Sequence, residues 1–248
     1  MAFGILINNP SGEMVLSSDT YFPVYLGKAT VVSTVQPFGS GTAATGTGNG
    51  GYSTCSFNYA GQIVPVLKLA PGHKGTIYSC TQSGSTWTIR ASYTNGSQVT
   101  DLNSPTNGMF LQTAPEIFVF GFVTSLGGSY GAAIYNSSGV LVGDLTRRPL
   151  ILKQRMNLPV NTTSAAVNTP AVVPGVLGRC FDTSVTGGPT GIPEIYRLAY
   201  SQYIFSCSST TFARGLDRRK IMNTGADNPH PDSIRGVDVW LVELNGLT

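Results

Sequence analysis

Ile7-Asn8-Asn9-Pro10-Ser11-Gly12-Glu13-Met14-Val15 and Ile134-Tyr135-Asn136-Ser137-Ser138-Gly139-Val140-Leu141-Val142 share the pattern I-x-N-x-S-G-x-x-V at an offset of 127 residues. Each stretch is an apolar run, a turn built on Asn, Ser and Gly, and a second apolar run. That is a β-hairpin signal, because Asn and Gly accept the positive φ that tight hairpin turns need. Working outward, further pairs follow in the same order. Pro23-Val24-Tyr25-Leu26 faces Pro149-Leu150-Ile151-Leu152 at an offset of 126, and residues 65–70 resemble 193–199 with one residue inserted. Ile77-Tyr78-Ser79-Cys80-Thr81 matches Ile204-Phe205-Ser206-Cys207-Ser208 at 127, and upstream Cys55 faces Cys180 at 125. Both halves close on an apolar run, Ile117-Phe118-Val119-Phe120 and Val237-Asp238-Val239-Trp240-Leu241. Five segments in one order predict an internal duplication. Its boundary is expected in the glycine cluster at 126–131, which gives two copies, 1–128 and 129–248.

Strands are expected at 24–26, 29–35, 63–69, 76–80, 87–93 and 117–123, each short, β-branched or aromatic, and bounded by turn residues. Composition agrees: 30 Gly and 15 Pro, with only 11% charged side chains, leave almost no helical 3.6-residue periodicity. The expected fold class is all-β, two tandem similar β-sandwich or small-barrel domains with long Gly/Ser/Thr-rich loops. The longest such loop, 39–51, has no side chain large enough to bury and is expected to be a mobile loop or an arm ordered by a partner, with Gly46, Gly48, Asn49 and the adjoining Tyr52 as candidate contact residues.

A net charge of +3 is too small and too scattered for a nucleic-acid binder. No run of 18 apolar residues is present, and the N-terminus lacks a signal-peptide pattern, so neither membrane insertion nor secretion by a signal peptide is expected. The basic cluster Arg214, Arg218, Arg219 and Lys220 reads as a solvated loop or subunit contact, with phosphate binding as the alternative.

Four cysteines without a C-x-x-C pair argue against a zinc or iron-sulfur site. The repeat suggests one bridge per copy, Cys55 with Cys80 and Cys180 with Cys207, each worth ~3 kcal/mol. Buried thiols are the equal alternative. Gly127-Gly128-Ser129-Tyr130-Gly131 satisfies G-x-S-x-G, yet a hairpin strand follows it where a nucleophile elbow needs a helix, so a hydrolase using Ser129 is disfavoured. His230 lies in Asp227-Asn228-Pro229-His230-Pro231-Asp232, a rigid turn more than a cation site. No catalytic residue, cofactor or metal is assigned. Aromatic side chains such as Tyr52, Phe57, Tyr59, Trp87 and Tyr93 suit sandwich cores, interfaces or stacking on sugars.

Phe3-Gly4-Ile5-Leu6-Ile7-Asn8-Asn9, then Ser11-Gly12 and Leu16-Ser17-Ser18-Asp19, resembles the opening of small virion proteins encoded among the tail genes of tailed bacteriophages. The second hairpin, Ala133-Ile134-Tyr135-Asn136 to Gly139-Val140-Leu141-Val142 with Asp144 after it, is similar to a pattern repeated inside those proteins. The resemblance implies a non-enzymatic structural part of a tail, tail tip, baseplate or fibre attachment. It would be made in the host cytoplasm and built into the virion, with other virion proteins as partners and host-surface recognition through loops. A homo-oligomer, trimer or ring, is expected, and six similar domains in a trimer would suit a six-fold to three-fold adaptor. The alternative is a stand-alone carbohydrate-binding or adhesin module.

Overall fold

The computed structural model describes residues 6–8, 14–17, 21–36, 51–98, 110–128, 131–159, 162–178, 183–186, 198–220 and 237–247. In the first half the strands are β1 Leu6–Asn8, β2 Met14–Ser17, β3 Val24–Lys28, β4 Thr30–Val35, β5 Tyr52–Asn58, β6 Ile63–Lys68, β7 Lys74–Ser83, β8 Thr86–Gln98, β9 Phe110–Gln112 and β10 Ile117–Gly121. The second half adds β11 Ala133–Tyr135, β12 Leu141–Asp144, β13 Leu152–Leu158, β14 Ser164–Ala166, β15 Pro174–Leu177, β16 Thr183–Thr186, β17 Leu198–Cys207, β18 Thr211–Lys220 and β19 Val237–Glu243. The described residues contain no helix, so the all-β reading holds.

Two large antiparallel sheets form the body. One has the order β13-β19-β15-β6-β10-β3, and the other runs β14-β18-β17-β7-β8-β5-β4, with β16 added on β17 and β9 on β8. Both halves of the chain enter both sheets. They meet at antiparallel pairs, β6 with β15 (Leu67 opposite Val176) and β7 with β17 (Gly75 opposite Phe205). The main core lies between the sheets and mixes Leu67, Ile77, Ile89 and Val119 with Met156, Phe205, Phe212 and Leu241. The described parts of 1–128 and 129–248 therefore share these two sheets and one main core.

From the centre outward, β6, β10 and β3 on one side of the first sheet match β15, β19 and β13 on the other. In the second sheet β7, β8 and β5 match β17, β18 and β14. The halves thus stand as a local two-fold axis normal to the sheets would place them. Three of the paired sequence segments fall on matched elements: the hairpins, 77–81 with 204–208, and the closing runs. Two do not. Val24–Leu26 lie on β3, whereas 149–151 precede its counterpart β13, and Pro149 bridges Val24 itself. Pro65 and Val66 lie on β6 of the first sheet, whereas Leu198 and Ala199 begin β17 of the second; the positional counterpart of β6 is β15.

The six-stranded sheet is rolled. Tyr25 N–H donates to Arg148 O at 2.8 Å and Leu150 N–H to Pro23 O at 2.9 Å, while Glu243 N–H donates to Ile151 O at 3.0 Å. Neighbouring residues of one segment therefore bond β3 and β19, which in a flat sheet would lie four strand spacings, ~19 Å, apart. Only curling brings those strands to the same segment. Inside the roll sits a second cluster of Val66, Phe118, Phe120, Val242 and Leu244, closed by Leu150, Val173 and Leu247. This double burial is why all five residues of β10 are buried.

The two hairpins share their register. Leu6 opposes Ser17, Ile7 opposes Leu16 and Asn8 opposes Met14; at an offset of 127 Ala133 opposes Asp144, Ile134 opposes Gly143 and Tyr135 opposes Leu141. The register shift falls at the same place in both. In the second turn Gly139 takes φ +75°, as expected, but Asn136 acts through its side chain, accepting from Ser138 N–H at 3.0 Å and Val140 N–H at 2.9 Å.

Candidate binding face

Alternation along β5 and β8 decides which residues face outward. Cys55, Ile89, Ala91 and Tyr93 point into the main core. Their neighbours Tyr52, Thr54, Ser56, Thr88 and Arg90 therefore lie on the opposite, outer face of the nine-stranded sheet. On β7 the register slips between Ile77 and Ser79: Ile77 opposes Ala91 and Ser79 opposes Arg90, leaving Tyr78 as the extra residue. Such a bulge sends its extra side chain to the face of its neighbour. The Tyr78 ring meets Tyr52 edge-on, 5.9 Å between centroids at 83°. Arg90, exposed, places its guanidinium over the Tyr52 ring at 5.5 Å from the centroid. Strands β4, β5, β7 and β8 carry Lys74 and Arg90 and no carboxylate.

Towards the far end of β8 this face closes over. Ser92 and Thr94 are fully buried, and Ser92 donates to the side-chain oxygen of Gln112 at 3.1 Å, which also takes Tyr93 N–H at 2.9 Å. Gln36 holds Gln112 through both backbone groups at 2.9 Å. The more exposed part is thus the end where Arg90 is exposed beside the half-buried Tyr52 and Tyr78.

The other expected contacts fare differently. Gly46, Gly48, Asn49 and His230 lie outside the described residues. Arg218 and Arg219 are on β18. Arg214 is not an exposed loop residue: it is 6% exposed on β18, and its guanidinium donates to Pro159 O at 2.8 Å. Strand pairing opposite Phe205 turns it inward.

Cys55, Cys80 and Cys207 are thiols, and Cys180 lies outside the described residues. The expected Cys55–Cys80 bridge fails on register. Both residues oppose Ile89, from the strands on either side of β8. That separates them by two strand spacings, ~10 Å, beyond disulfide reach. Burial pushes the Cys55 thiol up to about 11 and raises that of Cys207 as well. Cys80 is half-buried and lines an apolar cleft of about 330 Å³ with Ile63, Val64, Trp87 and Leu177.

Ser129 lies outside the described residues, but its flanks do not build a nucleophile elbow. Gly127 N–H donates to the Asp144 carboxylate at 2.9 Å, and β11 follows the glycines. Asp144 is fully buried and also accepts from Thr146 N–H at 2.9 Å, with Arg147 at 3.4 Å. His73 packs its ring 5.2 Å from Tyr93. Among the described residues no cluster of three His, Cys, Asp or Glu side chains could hold a metal ion, and no helix is long and apolar enough to cross a membrane. No protein-family model matches the chain, and neither a curated protein nor a solved structure is significantly similar to it.

Proposed function

We propose that this chain is a structural, non-enzymatic protein of a bacteriophage virion, a tail, tail-tip, baseplate or fibre-attachment component that assembles as a homo-oligomer with other virion proteins. One observation carries the reading. The two segments that resemble tail-gene proteins are the same supersecondary unit, with one register and one bulge position repeated at 127 residues. An internal duplication accounts for this repetition and for the matched strand orders of the two sheets. The local two-fold relation changes the assembly expected of a trimer. Halves joined across antiparallel strands are turned by about half a rotation, so three chains present three paired units in preference to a pseudo-six-fold ring.

The test is particle composition and solution mass. Purified phage particles should contain the chain in fixed stoichiometry, antibodies against it should decorate the tail, and light scattering on the isolated protein should give a trimer or larger ring. Particles that lack the chain would overturn the reading. A stand-alone carbohydrate-binding module is favoured by one separate feature, the partly exposed Tyr52-Tyr78-Arg90 face, and predicts a stable monomer.

A further inference from the structure

We infer that the outer face of the nine-stranded sheet around Tyr52, Tyr78 and Arg90 is a binding site for an acidic polysaccharide, one bearing uronic-type carboxylates. The inference is independent of the chain's place in a virion: loss of binding would leave the assembly reading standing, and a monomeric protein could still bind.

Three features point to this ligand. First, Arg90 is held in place by the Tyr52 ring and makes no ion pair among the described residues, and a guanidinium so placed keeps its N–H fork for a carboxylate. Second, the tyrosines meet nearly at right angles, so with Arg90 over the Tyr52 ring they form a compact aromatic corner and not a continuous rail. The C–H edge of one sugar ring packs against such a corner while its hydroxyls need donors and acceptors nearby. Third, the surrounding outward positions are hydroxylic: Thr54 and Ser56 on β5, Ser79 and Thr81 on β7, and Thr88 on β8 are all half-buried or exposed. The one exposed guanidinium within this field of hydroxyls can pair one carboxylate of a bound segment while the hydroxyls take its neutral groups. A nucleic-acid strand is held on successive ring faces, and two tyrosines set at right angles do not supply them. The absence of any carboxylate on β4, β5, β7 and β8 removes repulsion against an anionic chain.

The experiment titrates the full chain with polygalacturonate, with neutral dextran of similar length and with an oligothymidylate, by calorimetry at low and moderate salt. Polygalacturonate should bind and weaken as salt rises, with dextran silent. Arg90→Gln should lower the affinity at least tenfold while thermal unfolding stays where it was, since the side chain is exposed. Tyr52→Ala should do the same. No binding of polygalacturonate, unchanged binding by Arg90→Gln, or tighter binding of the oligothymidylate would each overturn the inference.

Discussion

Ile77-Tyr78-Ser79-Cys80 and Ile204-Phe205-Ser206-Cys207 occupy matched strands, yet their aromatic side chains go opposite ways. On β7 a one-residue bulge puts Tyr78 on the outer face and Ile77 in the core. On β17 the pairing from Ser201 to Cys207 runs without a shift, so Phe205 is fully buried and stacks on Phe212 at 5.4 Å. One inserted position flips every side chain upstream of it. The comparison teaches that the halves divide labour through register: the same motif builds a ligand face in one and core in the other. The Tyr78 hydroxyl suits the half-buried outer position, and the plain phenyl of Phe205 suits the fully buried one.

The largest expected effect breaks this comparison if it fails. Phe205→Ala should cost ~3–5 kcal/mol of stability in urea unfolding, as core aromatic truncations do, whereas Tyr78→Ala should cost less than ~1 kcal/mol. Equal costs would mean that Tyr78 is core and that the face does not exist.

A second contrast lies in the hairpins. Asp144 of β12 stands where Ser17 stands in β2, at the 127-residue offset. Burial pushes the Asp144 carboxyl towards neutrality, but donation from Thr146 and Gly127 and the charge of Arg147 outweigh it, so it is held below the ordinary carboxylate value. A carboxyl depressed on folding contributes stability that is fully present above its unfolded value of ~3.9 and is lost as the pH falls through the lower folded value. Asp144→Asn should lower stability at neutral pH by ~2 kcal/mol and flatten the acid limb of the unfolding curve. Ser17→Ala should leave that limb unchanged. Gly143, next to Asp144, sharpens the point: a Cβ there would overlap the Phe22 ring.

The strands that show an apolar or β-branched pattern are legible from residues alone: β3, β4, β6, β7, β8 and β10 coincide with the expected runs, as do the hairpins. β5 is not. Its residues Ser53, Thr54 and Ser56 break the apolar alternation, and Ser53 is buried because Thr34 hydrogen-bonds its hydroxyl at 2.9 Å. The joining of β6 to β15 and of β7 to β17 was hidden too, since pairing across more than a hundred residues leaves no local signal. Of the binding face, composition and spacing point only to Tyr52. Arg90 and Tyr78 join it through strand alternation and a bulge that no spacing motif announces. The same alternation removes Arg214 from the exposed basic cluster.

Cysteine reactivity tests which positions look into solvent-accessible space. Thiolate is the reactive form, so Cys55, fully buried and pushed up to about 11, should alkylate only when the protein unfolds. Cys207, 8% exposed and also raised, should follow it, whereas Cys80 opens on the cleft. Peptide mapping after a short iodoacetamide pulse at pH 8 should show Cys80 modified at least tenfold faster than Cys55. A Cys55–Cys80 disulfide in that map would overturn the register on which the binding face rests.

The smallest effect concerns the ends of β10 and β19, which match in the rolled sheet. Before β10 stands Glu116, and before β19 stands Gly236. Glu116 bridges Lys68 at 2.7 Å and Lys28 at 3.0 Å, fastening β6 and β3 to the strand between them. The hydrogen bond from Lys68 holds the Glu116 carboxyl below its ordinary value, burial opposes this, and Lys28 adds to it. Its contribution is therefore present above pH ~4.3 and lost on acidification. The side chain is 46% exposed, so water and salt screen the pair, and Glu116→Gln should cost only ~0.5 kcal/mol in low salt and almost nothing in 0.5 M salt. A larger, salt-resistant loss would mean that the carboxylate carries the closure of the roll. The second half would then need a different device in place of Gly236, and the match between the two ends of the sheet would be topological only.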